Sequence, residues 1–430
     1  MPLSTIVFFT SSISFLIGLI KKCLAIITNN SLIYAKKIVQ MKILHVLTSM
    51  DPKQGGVCQV LRNLNPYLIE KGINVEIVCL DNENEDFSIH DDFTVHKIGN
   101  GKTSYQYQPE LIKWLNINVI RFDFVIVHGL WQYHNLAVYK SIKFLKKQNK
   151  KTPRVVIMPH GMLDPYFQRA PERKWKAVRN EIVWSLIEKK CINYADMIFY
   201  TCDEEMRLAP TTFKGYKPLN VANVGLGIQP PPTYISDFKE AFYNNCIGVK
   251  NKKYWLFISR IHPKKGVDLL IEAYTKLVAE NHSLPELVIA GPTDSAYAQE
   301  MIKKAKAFSS IHFPGMLTGY SKWGAFYGCE AYLLPSHQEN FGIAIVEAMA
   351  CKKPVLITKN INIWREIEAG KGGWVLDELT VESIKNQLLT ISLLDEPTLQ
   401  AKGQAAFETY ENKFDVEDCT KVFIDTLKNL

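Results

Sequence analysis

Residues 335–350 read Pro335-Ser336-His337-Gln338-Glu339-Asn340-Phe341-Gly342-Ile343-Ala344-Ile345-Val346-Glu347-Ala348-Met349-Ala350. The short apolar run Ala331–Leu334 precedes this stretch, and a helical pattern begins after Gly342. The polar segment between them is therefore a strand-to-helix junction. At such a helix start the backbone amides of Asn340, Phe341 and Gly342 lack intrahelical partners, and the helix dipole favours an anion there. A diphosphate suits that position. Glu347 lies on the second turn of the same helix, where its carboxylate can accept hydrogen bonds from sugar or ribose hydroxyls. Glu339 stands in the loop itself.

Working outward, the same alternation recurs along the chain. Lys42–Thr48, Val75–Leu80, Phe124–Val127, Val155–Met158, Met197–Tyr200 and Asn220–Val224 read as strands. Helical patterns fall between them, such as Val57–Lys71 ending at Gly72. Pro230-Pro231-Pro232 is the strongest breaker. A second series follows: Tyr254–Ser259, the helix Val267–Glu280, Glu286–Ala290, Ala331–Leu334 and Pro354–Thr358. Strands separated by helices imply parallel sheets covered on both faces. The fold expected is α/β, two doubly wound Rossmann-like domains facing a cleft, with the opening stretch at the third βα junction of the second. The expected divisions are an extension at 1–40, a first domain at 41–228, a linker at 229–251, a second domain at 252–400, and helices at 401–430. Ligands in such folds bind at the carboxyl ends of the strands.

Four more junctions carry chemistry. Ser259-Arg260-Ile261-His262-Pro263-Lys264-Lys265-Gly266 sets two cations five residues apart between a strand and a helix. Arg and Lys there can neutralise a departing diphosphate; on residue type alone Lys264 competes with Lys265. Met158-Pro159-His160-Gly161 and His128-Gly129-Leu130-Trp131 each follow a strand of the first domain and face the cleft. His128 and Trp131 are assigned to the acceptor side. Gly55-Gly56, after the first strand, allows close backbone approach to a ligand.

Glu339 and Glu347 are separated by seven residues, with Phe-Gly after the first and Glu-Ala-Met-Ala around the second. Together with Lys353-Pro354-Val355, this resembles the signature of the retaining GT-B glycosyltransferases of family 4, and the likeness runs from Met41 to the C-terminus. The resemblance implies transfer of a sugar from a UDP- or GDP-linked donor to a hydroxyl of a glycan or lipid-linked acceptor. It places Glu339 beside the donor sugar, Glu347 on the ribose, and Arg260 and Lys265 on the phosphates. It puts His160 on a sugar hydroxyl, Gly55 and Gly56 near the phosphates or acceptor, and Leu317, in Phe313-Pro314-Gly315-Met316-Leu317, beside the nucleobase. It implies that a C-terminal helix returns to the first domain. The chain contains no Asp-x-Asp, in keeping with a reaction that needs no metal and no cofactor. Two other readings stay open: a non-catalytic nucleotide-sugar-binding scaffold, and a sugar-nucleotide epimerase on the same fold.

Composition sets the surroundings. The 47% hydrophobic and 22% charged residues are those of an ordinary globular protein. Nine scattered cysteines without a CxxC pair point to buried thiols in a reducing compartment, hence the cytoplasm. Between Lys140 and Lys190, fourteen Lys/Arg face four acidic residues. No RNA-binding or zinc-finger motif accompanies that excess, so an anionic membrane surface or anionic acceptor is expected rather than nucleic acid. Residues 2–20 are uncharged and Lys21-Lys22 follow. This segment reads either as a membrane anchor that leaves the rest on the cytoplasmic face or as an extension before a natural start at Met41.

Overall fold

Short apolar runs pair in the structure, a computed structural model, as two separate sheets. Residues 41–52, 56–85, 87 and 91–430 are described. The segment 1–40, read above as an anchor or extension, and Gly55 lie outside the described residues. The first sheet comprises β1 (Lys42–Val46), β2 (Asn74–Cys79), β3 (Thr94–Lys97), β4 (Phe124–His128), β5 (Arg154–Met158), β6 (Met197–Tyr200) and β7 (Val221–Asn223). Their order is β3-β2-β1-β4-β5-β6-β7. The second comprises β8 (Tyr254–Ile258), β9 (Glu286–Ala290), β10 (Ile311–His312), β11 (Ala331–Leu334), β12 (Val355–Thr358) and β13 (Gly373–Leu376), ordered β10-β9-β8-β11-β12-β13. Every pairing between these strands is parallel. The central strands β4, β11 and β12 are buried throughout, as strands covered on both faces must be.

Strand order reverses between β1 and β4 and again between β8 and β11. A crevice opens at such a switch point, outside the carboxyl ends of the strands. The loops leaving these four strands carry Gly56, the His128–Trp131 segment, Arg260–Gly266 and Ser336–Gly342. Topology thus brings these four junctions to the two switch points.

Three expectations are corrected. The stretch read as a linker contains a helix, Ser236–Asn245, whose Phe238 and Phe242 are buried; its edge packs so tightly that a Cβ on Gly324 would lie 1.9 Å from the Phe238 carbonyl oxygen. It belongs to the second unit. The opening junction follows the fourth strand of that unit in chain order, because the two-residue β10 gave no apolar run to read. The division at 400/401 falls inside the helix Glu396–Lys413. That helix stays with the second sheet: a Cβ on Gly372 would lie 2.5 Å from Ala406 Cα. The helix that returns is Val416–Lys428, whose Phe423, Ile424 and Leu427 join the core beneath the first sheet. Its entry is tied by Ile228 N–H donating to Phe414 O (2.8 Å) and Tyr410 OH donating to Ile228 O (3.1 Å). Both crossings between the units thus run side by side.

Candidate active site

Lys265 and Glu339 come together across the β8/β11 switch point. Lys265 ends a 3-10 turn after β8, capped by the His262 ring accepting from Lys264 N–H (3.1 Å). The next residue, Gly266, has φ 66°, and a Cβ there would lie 2.0 Å from the Pro335 carbonyl oxygen. Only glycine lets the two loops approach that closely. They are then pinned: Lys264 O accepts from His337 N–H (2.8 Å) and from the Ser336 hydroxyl (2.9 Å). The result seats the Lys265 ammonium, buried, on the Glu339 carboxylate. Burial, with help from the Lys264 and Arg260 cations, pushes Lys265 down to about 7; the Glu339 carboxylate opposes that loss of charge. Lys264 points elsewhere, over the rings of Tyr166 (5.5 Å) and Phe167 (4.8 Å). Glu339 is strapped from behind by its N–H to Asn360 O and by Asn362 N–H to its own carbonyl, both 3.0 Å.

The helix Ile343–Ala350 starts from Gly342 at φ 78°, with no side chain capping it. Its first residues, Ile343 and Ala344, line a cavity of about 810 Å³. Asn340 uses its side chain otherwise, donating to Thr201 Oγ1 (3.0 Å) on the first unit. Phe341 is buried edge-on to Phe414 (5.4 Å). Arg260 is exposed on the cavity wall, with Leu317 and Glu347 also lining it. Two residues that sequence reading missed, Lys322 and Trp323, sit there too. The Lys322 ammonium donates to Glu347 Oε1 (2.6 Å) and lies 4.7 Å from the Trp323 ring. Burial raises the Glu347 carboxyl, and Lys322 pulls it back down. The first unit contributes Gln59 and Asn63 to the lining; an ideal Cβ on Gly56 would meet Ile343 Cδ1 at 3.7 Å.

A second seam joins the units beside this cavity. Gly161, at φ 79°, lies so close that a Cβ would stand 2.5 Å from Asn340 Cβ. Asp164 Oδ2 accepts from Gln338 Nε2 (3.0 Å), and Arg365 Nε donates to Glu204 (3.0 Å). Glu205 is buried, which raises its carboxyl, and accepts from both Gly161 N–H (2.5 Å) and Thr201 N–H (2.8 Å). The loop carrying Glu339 is therefore clamped against the loop carrying His160.

His128 does not face an acceptor. It is 3% exposed, and both ring nitrogens are engaged, Nε2 with His45 Nδ1 (2.8 Å) and Nδ1 with His160 Nε2 (2.9 Å). The strand register that sets His128 beside buried His45 was invisible in the sequence. Trp131 adopts φ 71°, and its N–H donates to Glu188 Oε1 (2.8 Å). Glu188 ends a π-helical turn, Trp184–Glu188, and burial pushes its carboxyl up to about 8. Among the described residues no group of three or more His, Cys, Asp or Glu is arranged to hold a metal.

Comparison with known proteins matches the description "Glycosyl transferases group 1" over residues 245–409 and "Glycosyltransferase Family 4" over residues 54–214. A probable sucrose-phosphate synthase of Thermosipho melanesiensis is 27% identical over 40% of this chain and 40% of its own length. A D-inositol 3-phosphate glycosyltransferase of Kribbella flavida is 25% identical over 51% of this chain and 54% of its own. A putative colanic acid biosynthesis glycosyltransferase of Salmonella typhimurium is 25% identical over 40% and 44%. The chain spans about half the length of the curated relatives it matches, or less. In solved structures, Anabaena HepE with UDP and glucose superposes with a TM-score of 0.70 at 17% identity, over 91% of this chain and all of that one. Sucrose-phosphate synthase from Thermosynechococcus elongatus gives 0.70 at 16%, over 91% and 99%. At such identities these likenesses speak for the fold, two Rossmann-like units across a cleft.

Proposed function

This chain belongs to the family 4 glycosyltransferases of the GT-B fold, and from that premise we propose that it moves a sugar from a nucleoside diphosphate, UDP- or GDP-linked, to a hydroxyl acceptor with retention at the anomeric carbon. The observation that carries this reading is the cavity between the units, with exposed Arg260 on one wall and Glu347 on the helix whose uncapped N-terminus opens into it. A diphosphate finds cations and a helix dipole there, and a ribose finds a carboxylate. The inositol-phosphate and colanic acid relatives named above are glycosyltransferases by description, which supports the same reaction class.

In the proposed step the bond from C1 to the phosphate oxygen breaks and its electron pair leaves with the phosphate. The acceptor oxygen bonds to C1 on the same face, and its proton passes to a phosphate oxygen. Charge builds on the leaving group, so preorganised cations lower the barrier most. Arg260 and Lys265 supply them, without a divalent ion. Glu339, held by Lys265 and strapped by Asn360 and Asn362, positions and stabilises the developing oxocarbenium rather than attacking it. The first test is a panel of UDP- and GDP-sugars scored by thermal stabilisation, since a ligand that binds the folded state raises its melting temperature. The matching donor stabilises wild type and fails to stabilise Glu347→Ala; no response to any nucleotide sugar would sink the assignment.

An anionic membrane surface is the proposed setting. The helix Lys174–Val183 and the π turn after it leave Trp175 (88% exposed), Val178 (55%), Ile182 (55%) and Leu186 (63%) bare at helical spacing. Lys174, Lys176 and Arg179 are exposed beside that stripe. A basic amphipathic face of this kind lies in a headgroup layer. Pairing with a second copy would oppose two strongly cationic faces.

A further inference from the structure

Three histidines form a hydrogen-bonded row running from the core of the first unit to the cleft. His45, on β1, is fully buried, and its Nδ1 meets His128 Nε2 at 2.8 Å. His128, at the end of β4, meets His160 Nε2 through Nδ1 at 2.9 Å. His160 follows β5 in a left-handed conformation, φ 51°, half-buried where its loop abuts Asn340. Parallel pairing of β1 with β4 and of β4 with β5 is what aligns the rings. At the inner end, His45 Nε2 is buried without a partner.

Neutral imidazole carries one N–H, so a row of three has two possible polarities. In the first, His45 Nδ1–H donates to His128 Nε2, His128 Nδ1–H donates to His160 Nε2, and His160 must carry its proton on Nδ1. In the second, every bond reverses, His160 Nδ1 is bare, and His45 Nε2–H is sealed in the core without an acceptor. A protonated His128 would donate both ways, but its burial among three other imidazoles holds its pKa far down. The two polarities differ in which orphan the core must hold. An orphaned buried N–H is rarer than an under-satisfied acceptor. His134 beside the row follows the same preference: its Nε2 donates to the His128 carbonyl (2.9 Å), which leaves a bare, unpartnered Nδ1 buried.

We propose that His45 and His128 are positioning residues that lock His160 in the Nδ1–H tautomer, so that it meets the donor sugar as a hydrogen-bond donor. This rests on the reading of His160 as a sugar-contacting residue, but the tautomer is a property of the unliganded protein and can be tested without turnover. His160 then offers a proton to a sugar hydroxyl oxygen and cannot act as a base at that nitrogen. For histidines that ligate metals, removing the partner that fixes the tautomer changes affinity or activity by roughly 10- to 100-fold, and an effect of that order is expected here. The aromatic His45→Phe fills the space and deletes the donor. His45→Asn keeps an amide N–H near the Nδ1 position.

The deciding experiment is ¹⁵N NMR of histidine-labelled full-length protein at pH 7.5, with the His160 signals assigned by their loss in His160→Gln. The expected result is protonation at Nδ1 in wild type and His45→Asn, and a mixture of tautomers in His45→Phe. In donor turnover, kcat should fall roughly 10- to 100-fold in His45→Phe with KM for the donor nearly unchanged, and recover in His45→Asn. Protonation at Nε2 of His160 in wild type overturns the proposal, whatever the transfer assay gives. A failure of transfer in wild type with the Nδ1–H tautomer observed would count against the glycosyltransferase reading and leave the row intact.

Discussion

Removing the Glu339 carboxylate should destabilise the second unit as well as silence the site, and a second mutation should separate the two effects. Lys265 is 9% exposed at its side chain and Glu339 23%. Breaking a buried pair by deleting one partner costs about 3–5 kcal/mol; the partial exposure of Glu339 lowers that to about 2–4 kcal/mol. In a unit of this size each kcal/mol is worth about 2–4 °C of melting temperature. The unpaired ammonium, with its pKa pushed to about 7 by burial and neighbouring cations, can escape by losing its proton. In the unfolded chain the same lysine titrates near 10.4. Between these values the unfolded state binds more protons, so stability rises with pH. Losing Glu339 pushes the ammonium further down than burial and its cationic neighbours already hold it, so the Glu339→Ala deficit relative to wild type should be full at acid pH and shrink as pH rises. Lys265→Met on top of Glu339→Ala removes the stranded charge and should restore most of the stability but none of the transfer. Thermal melts at pH 6.5 and 9, with donor turnover on the same samples, measure all of this. A Glu339→Ala protein as stable as wild type at both pH values, or a double variant no better than the single, would refute the buried-pair argument.

Further expectations concern other parts of the site. Gly266→Ala forces a Cβ onto the Pro335 carbonyl oxygen at positive φ; it should cost at least about 1–2 kcal/mol and lower kcat, read by denaturant melts and turnover. Burial lowers His45 to about 3 and His134 and His160 to about 4. Below pH 6.5 the unfolded state binds protons that these folded histidines refuse, so each removes up to ~1.4 kcal/mol of stability per pH unit. Buried Glu205 and Glu188, raised instead, act in the opposite sense above about pH 4.5. Raised Glu347 and Glu366 act with them, so the test is differential: between pH 6.5 and 5 the melting temperature of wild type should change more unfavourably than that of His45→Asn, and equal slopes would contradict the neutral row. Trp175→Ser/Ile182→Ser/Leu186→Ser should abolish co-sedimentation with vesicles of phosphatidylglycerol, with neutral phosphatidylcholine vesicles binding neither protein. Self-association of wild type without lipid, lost in the variant, would assign that face to a second copy.

The parts legible in the sequence were those with a local period or a local spacing. Buried central strands such as Ala331–Leu334 announced themselves as apolar runs, and the Glu339/Glu347 and Arg260/Lys265 spacings stood within single junctions. Elements with weak patterns were lost: the half-buried edge strand Thr94–Lys97, the two-residue Ile311–His312, and the helix Ser236–Asn245, masked by the prolines before it. Partnerships between elements were not legible at all. Nothing local places Lys322 on Glu347, Glu188 under Trp131, or His45 behind His128; sheet order and helix packing create those contacts. His128 was misassigned for that reason. That Lys265 rather than Lys264 meets Glu339 was not legible either, because the close approach of the Gly266 and Pro335 loops comes from sheet order.

The central claim is glycosyl transfer from a nucleoside diphosphate with retention and without a metal. It is tested most directly by NMR of the product formed from an anomerically defined donor, with and without a strong chelator. The account predicts that an α-linked donor yields an α-linked product at the same rate in both samples, and that Lys265→Ala yields none. A β-linked product, or dependence of the rate on a divalent cation, would contradict it.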